Sequence, residues 1–143
     1  EIKECDWSSD VCSSDLITLD VIPAPQKLAK FAFALSADVS NGMAGESEKE
    51  LANGRFVILH EPGGQETWEG EFRCVTYLNA DLDRTEAEDP TLPEHGWNWL
   101  LKALDENGCD YAAPSGTVTR AISHSFGKLS TDLDGGDIEV RAS

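Results

Sequence analysis

Basic residues are scarce: 11 Lys and Arg stand against 27 Asp and Glu, a formal net charge of -16 over 143 residues. Nucleic acids and anionic lipid surfaces reward clustered Lys and Arg, so the composition argues against direct binding to either. Long apolar runs are missing as well. None approaches the roughly 20 residues that cross a bilayer, and no membrane association is expected. Histidine occurs three times, at His60, His95 and His124, without an H-x-x-x-H or C-x-x-C partner, so no metal site is predicted. The G-x-S-x-G elbow is absent, and Pro62-Gly63-Gly64 lacks the Lys-Ser/Thr and the helix that a phosphate-cradling loop requires. Ser115, Ser123 and Cys74 remain as isolated nucleophiles. Cys74 shares a strand face with Phe72 and Leu78, where a thiol reads as a small inert hydrophobe. No catalytic residue, metal or cofactor is predicted, and the balance leans against an enzyme.

What is present fits a globular chain: 40% of the residues are hydrophobic, too many for disorder, and the length suits one domain. The first 16 residues, EIKECDWSSDVCSSDL, stand apart. They lack the basic start and apolar centre of a signal peptide. CDWSSDVCSSDL (5–16) looks like the in-frame translation of a common short-read sequencing adapter, so 1–16 is read as a non-native, adapter-derived segment. Setting it aside removes five acids (Glu1, Glu4, Asp6, Asp10, Asp15) and Lys3, leaving 22 acids, 10 bases and a charge of -12 over 127 residues. It also removes Cys5 and Cys12. Cys74 and Cys109, in unlike contexts, then suit a reducing cytoplasm. A strand-like pattern follows the join directly, so a native N-terminal segment is expected to be missing.

Ile17, Leu19 and Val21 alternate with Thr18 and Asp20 up to Pro23, and Phe31, Phe33, Leu35, Ala37 and Val39 alternate with small or polar residues; both read as strands. Residues 40–54 read as a polar connection in which Asn53-Gly54 launches a short strand from Arg55 to His60. After the turn formers 61–65, Trp68, Gly70, Phe72, Cys74, Thr76 and Leu78 alternate with Glu69, Glu71, Arg73, Val75 and Tyr77. That predicts a long antiparallel strand with one face on a core, with Gly70 at a bulge or close approach. An acidic loop (80–90) leads to a helix over about 92–107. Thr91 and Glu94 supply a capping box, Pro93 occupies the first turn, and Asn107-Gly108 ends it. Trp97, Leu100, Leu101 and Leu104 form its buried stripe. A last long strand is expected between Tyr111 and Phe126. The segment 128–143, with Asp134-Gly135-Gly136-Asp137, reads as a loose acidic tail in which Ile138 and Val140 could at most pair weakly.

Strands followed by a helix predict an α+β fold: an antiparallel sheet of four to five strands, with one main amphipathic helix on one face, in a single domain over 17–127. The segments 22–39, 54–82 (with the string WEGEFRCV), 92–108 and 115–127 (with SGTVTR) resemble, in order and spacing, an actinobacterial family known as domain of unknown function 3000. The resemblance covers residues 20–127. It implies a bacterial cytoplasmic protein truncated at the adapter join, and it supplies no activity, cofactor or site residue.

Three residues rise above the background. Arg73 and Arg120 are isolated bases in strands; on neighbouring strands they would clamp an anionic ligand, whereas the plainer alternative pairs each with an acid such as Glu69 or Glu71. Trp99 lies off the helix stripe, where an exposed indole marks an interface or covers a sheet edge. Two functions follow. The leading one is a non-catalytic interaction or scaffold domain that docks a protein partner through its sheet face or Trp99. The other is a small anionic-ligand binder or enzyme using Arg73 and Arg120 between helix and sheet.

Overall fold

A computed structural model describes residues 16–43, 45–129 and 134–143. The segment read as adapter lies, apart from Leu16, outside the described residues. Six strands, β1 (Ile17–Ile22), β2 (Phe31–Ser40), β3 (Glu50–Gln65), β4 (Gly70–Leu82), β5 (Gly116–Ser123) and β6 (Gly135–Ala142), form one sheet in the order β1-β2-β3-β4-β6-β5. Every pairing is antiparallel. Two helices, α1 (Arg84–Glu88) and α2 (Leu92–Glu106), lie between β4 and β5 in sequence. The α+β arrangement with one main helix agrees with expectation, but the strand count does not.

The sixth strand comes from the segment expected to be a loose tail. β6 inserts between β4 and β5, and Ile138 and Val140 are buried with Leu92. Gly135 and Gly136 misled because glycine commonly marks a loop; here it allows close packing. A Cβ on Gly136 would press on the Ala121 carbonyl and come within 3.0 Å of the Ala87 Cβ. Asn53-Gly54 likewise lies inside β3. Gly54 is buried, and a Cβ there would meet Leu78 Cδ2 at 2.8 Å, so the glycine serves cross-strand packing rather than a turn.

Three further boundaries shift. β3 begins at Glu50, and the connection from β2 is tied by Asn41, whose side chain donates to the Ser47 carbonyl (2.8 Å) and accepts from the Lys49 amide (3.1 Å). β4 runs on to Leu82 through the first three residues of the expected acidic loop. The capping box forms at α1: Asp83 accepts from the Glu86 amide (2.8 Å) while Glu86 accepts from the Asp83 amide (3.1 Å). At α2, Thr91 makes no side-chain cap. Its hydroxyl and amide both donate to Asp89 Oδ1 (2.7 and 2.8 Å), which orients the turn between the helices. β5 is shorter than expected and starts at Gly116, although its ladder is prolonged by the paired backbones of Ser115 and Ser143 (2.8 and 3.0 Å).

Helix α2 packs on one face, as its periodicity predicts. Gly96 is buried against the sheet, and a Cβ there would stand 3.0 Å from Ile138 Cδ1 and 3.4 Å from Val118 Cγ1. Leu92, Ile138 and Val140 form the core, with Ala80, Leu82, Leu100 and Val118 around them. The helices contact β4, β5 and β6. This core is therefore confined to one half of a wide sheet.

Candidate functional site

Directly paired residues in an antiparallel sheet share a face, so the register tells which side chains accompany Ile138 and Val140 on the helix side. Across β1 to β4 they form five rungs: Ile17, Val39, Ala52, Ala80; Leu19, Ala37, Gly54, Leu78; Val21, Leu35, Phe56, Thr76; Phe33, Ile58, Cys74; and Phe31, His60, Phe72. None of these eighteen positions carries Asp, Glu, Lys or Arg. The opposite face presents Asp20, Asp38, Arg55, Arg73 and Asp81 beside an apolar rung of Ile22, Ala34, Val57 and Val75, and holds one small buried pair, Ala34 and Leu59.

The charge-free half is open. Val21 is 71% exposed, Phe72 57%, Phe31 55%, Leu78 41%, Ile17 40%, Phe33 38% and Phe56 37%. Taking about 200 Å² for each whole aromatic ring, and somewhat less for each aliphatic side chain, these seven leave on the order of 600 Å² in water. The largest apolar patch on an ordinary monomer is about 300–600 Å². His60 is sandwiched at one end, its ring 5.7 Å from Phe31 and 4.3 Å from Phe72, both near parallel. Lys30 Nζ caps that stack 5.6 Å from the Phe31 ring.

Cys74, expected on a core face, lies on the correct face but in its uncovered part and is exposed. Partial desolvation, and after it the neighbouring Cys109 thiol, push its pKa up, which keeps it protonated and unreactive at neutral pH.

The two arginines are not brought together. Arg120 stands opposite Ile138, and Ile138 opposite Ala80; Arg73 is seven residues further along β4 and on the other face. By strand geometry they are about 25 Å apart, so the anion clamp does not form. Neither meets Glu69 or Glu71 in an ion pair among the described residues. Arg73 donates to Ser143 Oγ (3.0 Å), and Arg120 donates to the Ala87 carbonyl at the end of α1. Both are structural ties.

Trp99 is 59% exposed, as its place off the stripe predicts. Trp97 leans towards the edge strand β5, where it touches Gly116. Two residues on, a helix has turned about 200°, so Trp99 emerges on the other flank of α2, the flank away from that edge. His95 accompanies it, with ring centroids 6.3 Å apart.

Other polar clusters are already satisfied. A broad concavity of about 830 Å³ at one end of the sheet is lined by Lys49, Asp81, Arg84, Ser123, Asp134 and Asp137. Its charges are engaged: Lys49 with Asp81 (3.0 Å), Arg84 with Glu88 (3.0 Å) and Asp137 with Asn79 (3.3 Å). The Asp134 carboxyl is lowered from its ordinary value by its bond to His124 (3.0 Å) and by the Ser125 amide. Among the described residues no three His, Cys, Asp or Glu side chains converge to hold a metal, and no helix is long and apolar enough to cross a membrane.

The sequence contained the signal for the open half, the charge-free alternation of four strands. Alternation places this face on a core, because it reports which face is apolar and not whether anything covers it. Against known proteins, the chain matches no curated protein and no solved structure. A family model described as a protein of unknown function (DUF3000) matches residues 9–143, a span that takes in all six strands and both helices and reaches into the segment read as adapter. With nearly its whole length matched, the chain belongs to the DUF3000 family.

Proposed function

We propose that this protein is a non-catalytic interaction domain that docks a protein partner on the uncovered half of its sheet. The observation that carries this reading is the charge-free apolar surface across β1 to β4, at the upper end of what an isolated chain ordinarily leaves in water, where such patches are often functional. Its extent approaches the roughly 800 Å² per partner of a standard interface. The separation of Arg73 from Arg120 removes the geometry that an anion-binding pocket would need. Net acidity supports a protein partner over nucleic acid or anionic lipid. The two free thiols among the described residues, Cys74 and Cys109, support the cytoplasm as the compartment.

A photo-crosslinking amino acid placed at Phe56, on the open half, and separately at Thr119, on the opposite face, tests the reading in expressing cells. Discrete adducts from position 56 and none from position 119 are expected. Equal yields from both positions, or none from position 56, would refute a docking role for this face.

A further inference from the structure

We infer that the occupant of the open half is an amphipathic α-helix with basic residues at both ends, supplied by the partner; this rests on the docking role proposed above. α1 and α2 already form a helix layer over β5 and β6, and layered domains complete a half-covered face with another element of the same layer. A partner strand would add at a sheet edge and leave the face in water. A helix set beside α2 covers the face and packs against the flank that shows Trp99.

Size and charge define this helix further. The rungs run from Ala52 to His60 along β3, about 26 Å at 3.3 Å per residue, which a helix of about 18 residues matches. The stripe it lays down must be apolar, because the face offers no charge to pair with. The two ends of the strands are different. At the β3–β4 hairpin stand Glu61, Glu66, Glu69 and Glu71, and at the other end Glu46, Glu48 and Glu50. The bases there are fewer: Lys27 and Lys30 at the first end, and Lys49 and Arg84, already bound to Asp81 and Glu88, at the second. A helix lying along the strands brings its termini to these carboxylates, so Lys or Arg at both ends complements them. A second copy of the chain would instead set acidic ends against acidic ends, at a net charge of -16 each.

The test titrates the full chain with labelled peptides of about 18 residues, read by fluorescence anisotropy and by circular dichroism for induced helix. One peptide has a Leu/Ala stripe with lysines at both ends, a second has glutamates at the ends, and a third keeps the first composition with the stripe scrambled. The lysine-ended helix is expected to bind at least about ten-fold tighter than the glutamate-ended one at low salt, the gap narrowing as salt rises. Phe72→Asp should weaken it about ten-fold while Thr119→Asp leaves it unchanged. Val21→Asp, at the sheet edge, serves as the second variant should Phe72→Asp fail to fold. Equal binding of all three peptides, binding of none, or a dimer in sedimentation that Phe72→Asp dissolves would each overturn the inference. Crosslinks from position 56 together with failure of every peptide would leave the docking role standing and remove the helix; loss of both would remove both.

Discussion

The two halves of the helix-side sheet face are built from the same kinds of residue and have opposite fates. On β6, Ile138 and Val140 are 8% and 6% exposed beneath α2; on β2 and β4, Phe31 and Phe72 are 55% and 57% exposed. What separates them is the cover and its fixings. The covered half is pinned by polar contacts at its margins: Asp83 and Glu86 cap α1, Asp89 holds Thr91, Arg120 reaches the Ala87 carbonyl, and Asp134 joins His124 and Ser125. The open half has only His60 and Cys74 as ionisable groups on its face. Apolar area is stabilising where it leaves water, and a half-face that stays wet contributes to association rather than to folding. Stability should therefore reside in one half and binding in the other.

The largest expected effect lies under α2. Ile138→Ala should cost about 3 kcal/mol in urea or thermal unfolding, because it empties the centre of the only helix-covered cluster among the described residues. A loss below about 1 kcal/mol would mean the halves do not differ as described. Gly136→Ala should cost about 2 kcal/mol, since the new methyl meets the Ala121 carbonyl and Ala87. Arg120→Ala should cost about 1 kcal/mol and loosen α1 selectively, seen as faster amide exchange at residues 84–90 than in β3.

Acid sharpens the contrast by direction. The carboxyl of Asp89 is lowered by the Thr91 hydroxyl and then its amide, and that of Asp134 by His124 and then the Ser125 amide. Both groups have folded-state pKa values below their unfolded ones, so the stability they contribute is fully present above the unfolded value of about 3.9. It is lost as the pH falls through their folded values. Hydrogen exchange should therefore rise first around 89–92, 123–129 and 134–135, with β2 and β3 unchanged at the same pH. The smallest effect belongs to the open half. Phe72→Asp should alter the unfolding free energy by no more than about 0.5 kcal/mol, because its ring is already mostly in water. A large loss there would show that the face contributes to folding after all.

Much of this architecture was legible in the chain. Period-two alternation marked β1, β2 and β4, and the stripe Trp97, Leu100, Leu101, Leu104 marked α2, because these signals are local and long. Gly54, Gly135 and Gly136 are turn formers by local statistics, yet each sits in a strand where a neighbouring chain passes too close for a side chain. The capping box was sought at Thr91 and found at Asp83, since Asp89 offers Thr91 a competing partner that spacing alone does not rank. Arg73 and Arg120 were plausible as a pair until strand order put β6 between β4 and β5 and the register put them on opposite faces.

By itself, the sequence determined the chemistry of each surface: an acidic chain, an amphipathic helix, and four strands with one side free of charge. Those properties follow from residue type and from periods of two and 3.6, which need no knowledge of distant contacts. Only the tertiary structure decided which apolar surface becomes core. That depends on where β6 inserts and where α1 and α2 come to rest, and burial is settled by contacts between segments far apart in the chain. The same apolar alternation thus ends as a buried centre under α2 and as an open face beside it.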